Sequence, residues 1–345
     1  MHDPVMRWHG LILIALGVAL PLAADAAELT GRWEGAFINP PEANYHAFHH
    51  PRVCAELVAL GDENYRLRFL PDFFRRAHVL FETEIDRDGE EFIFRDRTWK
   101  GALANGVLRG TAFLNTPHPV DFELRPAAFR PPTLGEPPPK GAKALFDGTG
   151  LDQWRAADTG RTAGWQITSD GALEVVSRSE DKERGGDIRT LEEFGDARLH
   201  LEFRLPAQPD RRGQTRANSG VFLQGLYEVQ ILDSFGLDGL WNECGALYKL
   251  WPPKVNACLP PGEWQTYDID FRAARFGPDG TVSEPPRITV RHNGVFIHRD
   301  EELTSATNVA GSNHPSPSPP ARGPLVLQDH GQPVQFRNIW ILPLE

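Results

Sequence analysis

Between residues 198 and 205 apolar and polar side chains alternate without a fault: Leu199, Leu201, Phe203 and Leu205 against His200, Glu202 and Arg204. Successive side chains of a strand point to opposite faces, so this is the pattern of a half-buried antiparallel strand. No long amphipathic run at the helical period of 3.6 occurs anywhere in the chain. Period two or short apolar runs return at 172–176, 220–224, 227–233, 266–271, 287–298, 325–328 and 336–342, and earlier at 55–60, 65–70 and 79–85. Thirty prolines and 32 glycines, without a collagen period, supply the turns between them. Asp88-Gly89, Asn105-Gly106, Asp170-Gly171 and Asn293-Gly294 are pairs that tolerate the positive backbone angles of tight hairpins. Many short strands at regular spacing argue for an all-β protein with a two-sheet sandwich.

Five prolines fall between Pro131 and Pro139, inside the stretch Phe129 to Lys143, where they break any regular element and favour an extended spacer. The expected organisation is a signal peptide over 1–27, a small antiparallel β-domain over 28–128, a linker over 129–143 and a sandwich over 144–345. In the first domain Trp33, Phe37 and Trp99 are expected in the core, because a small β-domain needs large side chains to bury. The Ser- and Pro-rich stretch 308–322 reads as a loop.

The chain of 345 residues carries 36 basic and 47 acidic residues, a net charge of −11, the wrong sign for a protein that grips a phosphate backbone. Nucleic acid is therefore not an expected partner. His2, Arg7 and His9 precede an apolar run, Leu11 to Leu22, that ends in Ala24-Asp25-Ala26, the small-x-small signature of a secretory signal. The run is short for a membrane span, so an exported, periplasmic or extracellular protein with no transmembrane segment in its mature chain is expected. Free buried cysteines are the favoured reading, with a Cys244–Cys258 staple across the loop between them as the alternative. Cys54 with His46, His49 and His50 fits no standard zinc spacing and reads as part of a histidine-bearing loop.

In Tyr227 to Asp233 the alternation places Glu228 and Gln230 on one face and Tyr227, Val229 and Ile231 on the other. A carboxylate and an amide on a partly covered sheet face suit a sugar. Phe146-Asp147-Gly148 with Leu151 and Trp154 opens an ordered series of motifs. Asn218-Ser219-Gly220, Tyr227 to Asp233 (YEVQILD), Cys244 to Tyr248 (CGALY), Gly262-Glu263-Trp264, Asn293-Gly294, Leu327 to Gly331 (LQDHG) and Phe336 to Ile339 (FRNI) follow. Over roughly residues 144 to 345 this series resembles the 3-keto-disaccharide hydrolase family. It departs from the family at Trp251 with Pro252-Pro253, and at Gln265. The resemblance implies a concanavalin A-like jelly-roll sandwich preceded by the small β-domain, and an enzyme that cleaves glycosides already oxidised to a ketone at C3.

Such a ketone acidifies the hydrogen on C2, so one base, one acid and donors to the enolate oxygen suffice for elimination and rehydration. Ordinary glycosidases need two flanking carboxylates, and here one strand carboxylate has no obvious partner. On this reading Glu228 and His330 are the catalytic candidates. Asn218, Gln230, Tyr248, Asn256 and Gln328 are candidates for the sugar hydroxyls, and Arg337 for orienting Glu228 or binding the ketone oxygen, with a structural ion pair as its equal alternative because Ile339 and Ile341 share its parity. The chemistry requires no cofactor. Asp233 and Asp329 cap turns or hold a cation, yet neither shows complete ligand spacing, so a metal stays unassigned and a structural calcium finds no support in the sequence. An oxidoreductase that supplies the keto sugar is an implied partner. A serine hydrolase is disfavoured because no G-x-S-x-G elbow exists. The rival reading is a carbohydrate-binding, lectin-like module without catalysis.

Overall fold

A computed structural model describes residues 29–38, 52–74, 78–88, 91–114, 118–307, 309–312 and 314–344. The expected signal peptide, the hairpin glycine Gly89 and His46, His49 and His50 lie outside the described residues. Among those residues no helix is long and apolar enough to cross a membrane. The chain is almost entirely antiparallel β-structure, as the period-two patterning requires.

The first eight strands are β1 (Gly31–Ile38), β2 (Arg52–Ala59), β3 (Asn64–Leu70), β4 (Phe81–Asp88), β5 (Glu91–Arg95), β6 (Trp99–Ala104), β7 (Val107–Ala112) and β8 (Val120–Pro126). Each pairs with the next, and β8 returns to β1 (Phe37 opposite Phe122), so the meander closes into a barrel with no free edge. Aromatic rings fill it. Phe69 lies 4.6 Å from Trp99 and 5.2 Å from Phe122 between ring centres, and Trp33, Phe37 and Trp99 are all buried. Asn105 and Gly106 both take positive φ in the β6–β7 hairpin, and Asn293 and Gly294 do the same later, as their side chains allow.

The second unit contains β9 (Lys143–Phe146), β10 (Trp154–Ala156), β11 (Gln166–Ile167), β12 (Leu173–Glu174), β13 (Ile188–Phe194) and β14 (Ala197–Arg204). It continues with β15 (Ser219–Leu223), β16 (Tyr227–Ile231), β17 (Trp264–Arg272), β18 (Arg275–Phe276), β19 (Val282–Glu284) and β20 (Arg287–His292). The last strands are β21 (Val295–Glu302), β22 (Gly323–Leu327) and β23 (Gln335–Pro343). One sheet runs β10-β13-β22-β15-β16, and the other β11-β12-β23-β14-β17-β20-β21 with β9 beside β23. Strands β18 and β19 form a small ribbon. The core lies between the two sheets: Leu199, Leu201, Phe203, Ile269 and Val290 from one meet Val221, Val229, Ile231, Leu325 and Leu327 from the other. The Tyr267 hydroxyl crosses this core to donate to the Gln230 carbonyl at 2.7 Å. This is the all-β sandwich that the alternation called for.

Two expectations change. The polar face of β14 is not solvent-exposed, since His200 and Glu202 are both fully buried. The proline-rich linker covers it. Thr133 donates to Asp268 at 2.7 Å, the Gly135 N–H to Glu202 at 2.5 Å, and the Glu136 carbonyl accepts from Asn338 and the Trp340 indole. The prolines thus shape a strap docked on the sheet, where an extended spacer was expected. All three cysteines are buried and free, as favoured from sequence, and Cys244 contacts the Tyr267 hydroxyl at 3.2 Å.

Barrel and sandwich meet through arginines. Arg68 donates to the Gly236 carbonyl at 2.5 Å and to Asp238 at 2.7 Å, and Arg66 reaches the same carbonyl at 3.0 Å. Arg32 is caged by the rings of Phe73, Phe74 and Phe129, each within 5.7 Å of its guanidinium carbon.

Candidate functional site

On the five-stranded sheet the residues alternating with the core set share the opposite face: Asn218 just before β15, Gly220 and Phe222 from β15, Glu228 and Gln230 from β16, Gln328 just beyond β22, and Asp187 just before β13. Strand β16 would be an exposed edge, but the segment 245–248 caps it. Gln230 exchanges two backbone hydrogen bonds with Gly245 and Ala246, and the Tyr248 N–H donates to the Glu228 carbonyl at 3.3 Å. Gln214 adds to this cover. It accepts from the side chains of Asn218 and Gln230 and sits between them.

Glu228 is only 5% exposed, and its carboxyl group makes no hydrogen bond or ion pair among the described residues. It leans across the neighbouring strand over Gly220. A methyl group placed on Gly220 would stand 2.5 Å from Oε1, so only a glycine leaves this room. Burial raises the acid to about 8, with the charge of Asp187 adding to the rise and that of Lys249 opposing it. A carboxyl with that affinity exchanges protons freely near neutral pH. The Tyr248 hydroxyl is held in its neutral form by burial and by the charge of Glu228.

Around the carboxyl lie unused polar atoms. Asn218 Oδ1 and Gln328 Oε1 are buried without a partner among the described residues, as is Arg189 Nε on the same sheet face. Each such atom costs about 1–3 kcal/mol when left unmet, so a face that gathers them is shaped for a polar ligand. At one end of this face, Asp187 accepts the Asp329 N–H at 2.9 Å. Burial, with the charge of Asp329 adding to it, pushes the Asp187 carboxyl above the usual carboxylate range. A cavity of about 260 Å³, bounded by Asp158, Arg178, Asp187 and Asp329, opens there.

The structure brings together Glu228, Gln230, Asn218, Tyr248 and Gln328, five of the eight residues singled out from sequence. Three are placed elsewhere. His330 is exposed, makes no hydrogen bond or ion pair among the described residues, and is not among the charges that act on Glu228. The expected sugar contacts of Asn256 are corrected: its amide donates to the carbonyls of Ser234 (2.7 Å) and Leu237 (2.9 Å), and its oxygen accepts from Cys258. With that, its hydrogen-bonding capacity holds two loops together. Arg337 is corrected in its site roles, and the structural ion pair is what the structure shows. It lies in the other sheet, opposite Glu202, donates to it at 2.6 Å and stacks 4.1 Å from the ring centre of Trp264. A bulge explains the misreading. Asn338 takes φ 45° and the β14–β23 register shifts there, so Arg337 faces outward although Ile339 and Ile341, of the same parity, are buried.

Three participants carried no motif role, Asp187, Gln214 and Lys249, while Gly220 of the Asn218-Ser219-Gly220 motif serves as the floor under Glu228. Asp187 follows Gly185-Gly186, and a glycine pair feeding a carboxylate into a strand is the one local signal that marks it. The capping-type roles considered for Asp329 and Asp233 are observed. Asp329 accepts the N–H groups of Arg178, Gly186 and Gly331, and Asp233 accepts the Phe235 N–H at 3.3 Å while pairing with Arg216 at 2.6 Å.

A second polar cluster sits under the strap. His200 bonds Asp268 at 2.7 Å and approaches Glu202 at 3.6 Å, with Trp340 stacked on its ring. Burial opposes the imidazolium, yet the two carboxylates outweigh it and raise His200 to about 9. Burial likewise opposes the Glu202 charge, but bonds from His200, Asn338, Gly135 and Arg337 lower it to about 2. The strap closes this cluster from above, so it is an internal ion network and offers no binding face.

The comparisons agree with this geometry. A family model described as a 3-keto-alpha-glucoside-1,2-lyase-like domain matches residues 141–342. A solved protein of Parabacteroides distasonis, provisionally described as a glycosyl hydrolase, is 37% identical over 60% of this chain and 85% of its own, with a TM-score of 0.52. A second from the same organism, described in the same words, is 21% identical over 59% of this chain and 95% of its own, with a TM-score of 0.43. No curated protein matches the chain. The match over more than half the chain, on the sandwich that carries Glu228, establishes that this protein belongs to the 3-keto-disaccharide hydrolase family, a group of carbohydrate-active hydrolases and lyases.

Proposed function

We propose that the protein cleaves 3-keto-glycosides by removing the proton on C2, with Glu228 as the base. The observation that carries this reading is the Glu228 carboxyl, buried, unpaired among the described residues and raised to about 8, lying bare over Gly220. A carbon acid next to a ketone needs a stronger base than an ordinary carboxylate, and burial supplies one. Glu228 takes the C2 proton, the C2–H electrons form the C1=C2 bond, and the C1–O bond breaks with its electrons leaving on the aglycone oxygen. Tyr248, neutral and beside Glu228, donates the proton to that oxygen, a role first considered for His330. Water then adds at C1 and gives its remaining proton to the Tyr248 oxygen, Glu228 returns its proton to C2, and the net change is hydrolysis with both groups restored. Asn218, Gln230 and Gln328 align the sugar ring. The keto sugar comes from an oxidoreductase acting at C3, and the balanced step consumes no cofactor. The N-terminal apolar run supports export, to the periplasm or beyond.

Mass spectrometry of products formed from a 3-keto-glycoside in deuterated water tests the mechanism. Deuterium at C2 is expected in wild type, with turnover lost in Glu228→Gln. Cleavage without deuterium would mean direct displacement, and glycan binding with no cleavage of any 3-keto substrate would mean a lectin-like module.

A further inference from the structure

We propose that Leu240 and Trp241, with the ring of Tyr248, form the subsite for the group that leaves from C1, and that this group is flat and aromatic. The inference rests on the reading of Glu228 given above. Leu240 and Trp241 are consecutive and 49% and 47% exposed. Single exposed apolar residues are commonplace, but two large ones side by side next to a further aromatic ring make a patch that marks a contact surface. The Trp241 ring lies 5.9 Å from that of Tyr248 at 56°. The Tyr248 N–H donates to the Glu228 carbonyl, and the Lys249 N–H to the Trp241 carbonyl at 3.2 Å. The patch therefore adjoins the carboxyl that acts on C2.

The loop that bears it is held at several points. Glu243 accepts the N–H groups of Gly239 (2.6 Å) and Leu240 (2.9 Å), and Asn256 ties Ser234 and Leu237. From the barrel, Arg66 and Arg68 grip Gly236, and Arg68 also holds Asp238. Apolar side chains on so fixed a loop are presented outward before any ligand arrives, which lowers the ordering cost of binding. The β-barrel acts as a brace for this wall of the site.

The chemistry separates an aromatic occupant from a second sugar. The unpartnered amide oxygens suited to hydroxyl groups, Asn218 Oδ1 and Gln328 Oε1, lie just before β15 and just beyond β22, and the loop's link to them, the Asn242 carbonyl, is already taken by Gln214 at 2.7 Å. Beside Trp241 stand hydrocarbon, an aromatic ring and one cation: Lys249 Nζ lies 5.3 Å from the Tyr248 ring centre. An aryl oxygen that departs with negative charge meets both the ring surface and the ammonium group there.

The test compares full-length wild type with Trp241→Ala on three substrates: the 3-keto forms of a phenyl glucoside, a methyl glucoside and a glucose disaccharide. The loss of kcat/KM on the phenyl substrate is expected to exceed that on the methyl substrate by about tenfold, the scale of one hydrophobic contact. Trp241→Phe should restore most of the difference, and thermal unfolding checks that the loop substitution leaves the fold intact. Equal losses on phenyl and methyl substrates, or the largest loss on the disaccharide, would overturn the aromatic assignment. Wild type that turns over none of the three would overturn the keto-glycoside reading itself, and the subsite with it.

Discussion

Replacing Gly220 by alanine tests the site with a single methyl group. Its Cβ would stand 2.5 Å from Glu228 Oε1 and 3.1 Å from Cδ and Cγ, where separations below 3.0 Å are not sustained and 3.4 Å is ordinary contact. The carboxyl oxygen must therefore retreat by about 0.5 to 0.9 Å, the gap between 2.5 and those two limits. A misplacement of about 1 Å between base and substrate costs about 10²-fold, so kcat should fall about 10- to 100-fold, or ~1.4–2.7 kcal/mol. Stability should not fall with it. Gly220 is not in the left-handed region, and an alanine there restricts the unfolded chain, a gain of about 0.4–1 kcal/mol. Steady-state kinetics on a 3-keto-glycoside, paired with thermal unfolding, separates the two effects. A kcat within twofold of wild type at unchanged Tm would refute the claim that the Glu228 position over Gly220 is the working one.

Because Glu228 is raised to about 8, kcat/KM should climb with pH up to that value and level off above it; a limb near 4.5 would argue against Glu228 as base. The same shift means that the folded protein loses stability as pH rises from the ordinary carboxylate range through about 8. Glu228→Gln should accordingly raise Tm relative to wild type at pH 9 and leave it nearly equal at pH 4, as read by differential scanning calorimetry. His200, raised to about 9, contributes stability that is complete below pH 6 and lost as pH climbs through 9, while the Glu202 contribution is lost as pH falls through about 2. Glu202→Gln, which leaves His200 and Arg337 less compensated, should cost about 3–5 kcal/mol at pH 7 by urea unfolding. Asn256→Ala, by freeing two carbonyls and an N–H, should cost about 1–3 kcal/mol at pH 7; its KM for a methyl 3-keto-glucoside should move less than its Tm.

Period-two alternation carried the fold a long way. Leu199 to Leu205 and Tyr227 to Ile231 are where the pattern places them, and the asparagine–glycine hairpins turn where their backbone freedom allows. The same periodicity gathered Asn218, Glu228, Gln230 and Gln328 onto one face, because all lie on or beside regular strands. It failed where regularity stops. The bulge at Asn338 reverses parity within one residue, and nothing local in Phe336 to Ile339 announces it. Asn256 lies in a loop whose hydrogen bonds depend on how Ser234 and Leu237 are folded back, a tertiary fact. Closure of β8 onto β1 and the docking of the linker are likewise pairings between segments far apart in sequence. Burial, too, is invisible to composition: His200 and Glu202 read as solvent-facing because the strap that hides them is written more than sixty residues earlier.

The strap redraws the place where this protein can be cut in two. By sequence the natural scissors line runs through the prolines, and a sandwich begun at residue 144 looks complete. Yet Thr133, Gly135 and Glu136 roof the His200–Glu202–Asp268 network, and an excised sandwich without them would open fixed charges and the Trp340 ring to water. The hereditary unit and the folding unit are therefore offset: the sandwich takes with it the chain from about Pro132 onward, and a protease that nicks the linker leaves a half that still holds its roof only if it cuts before that point.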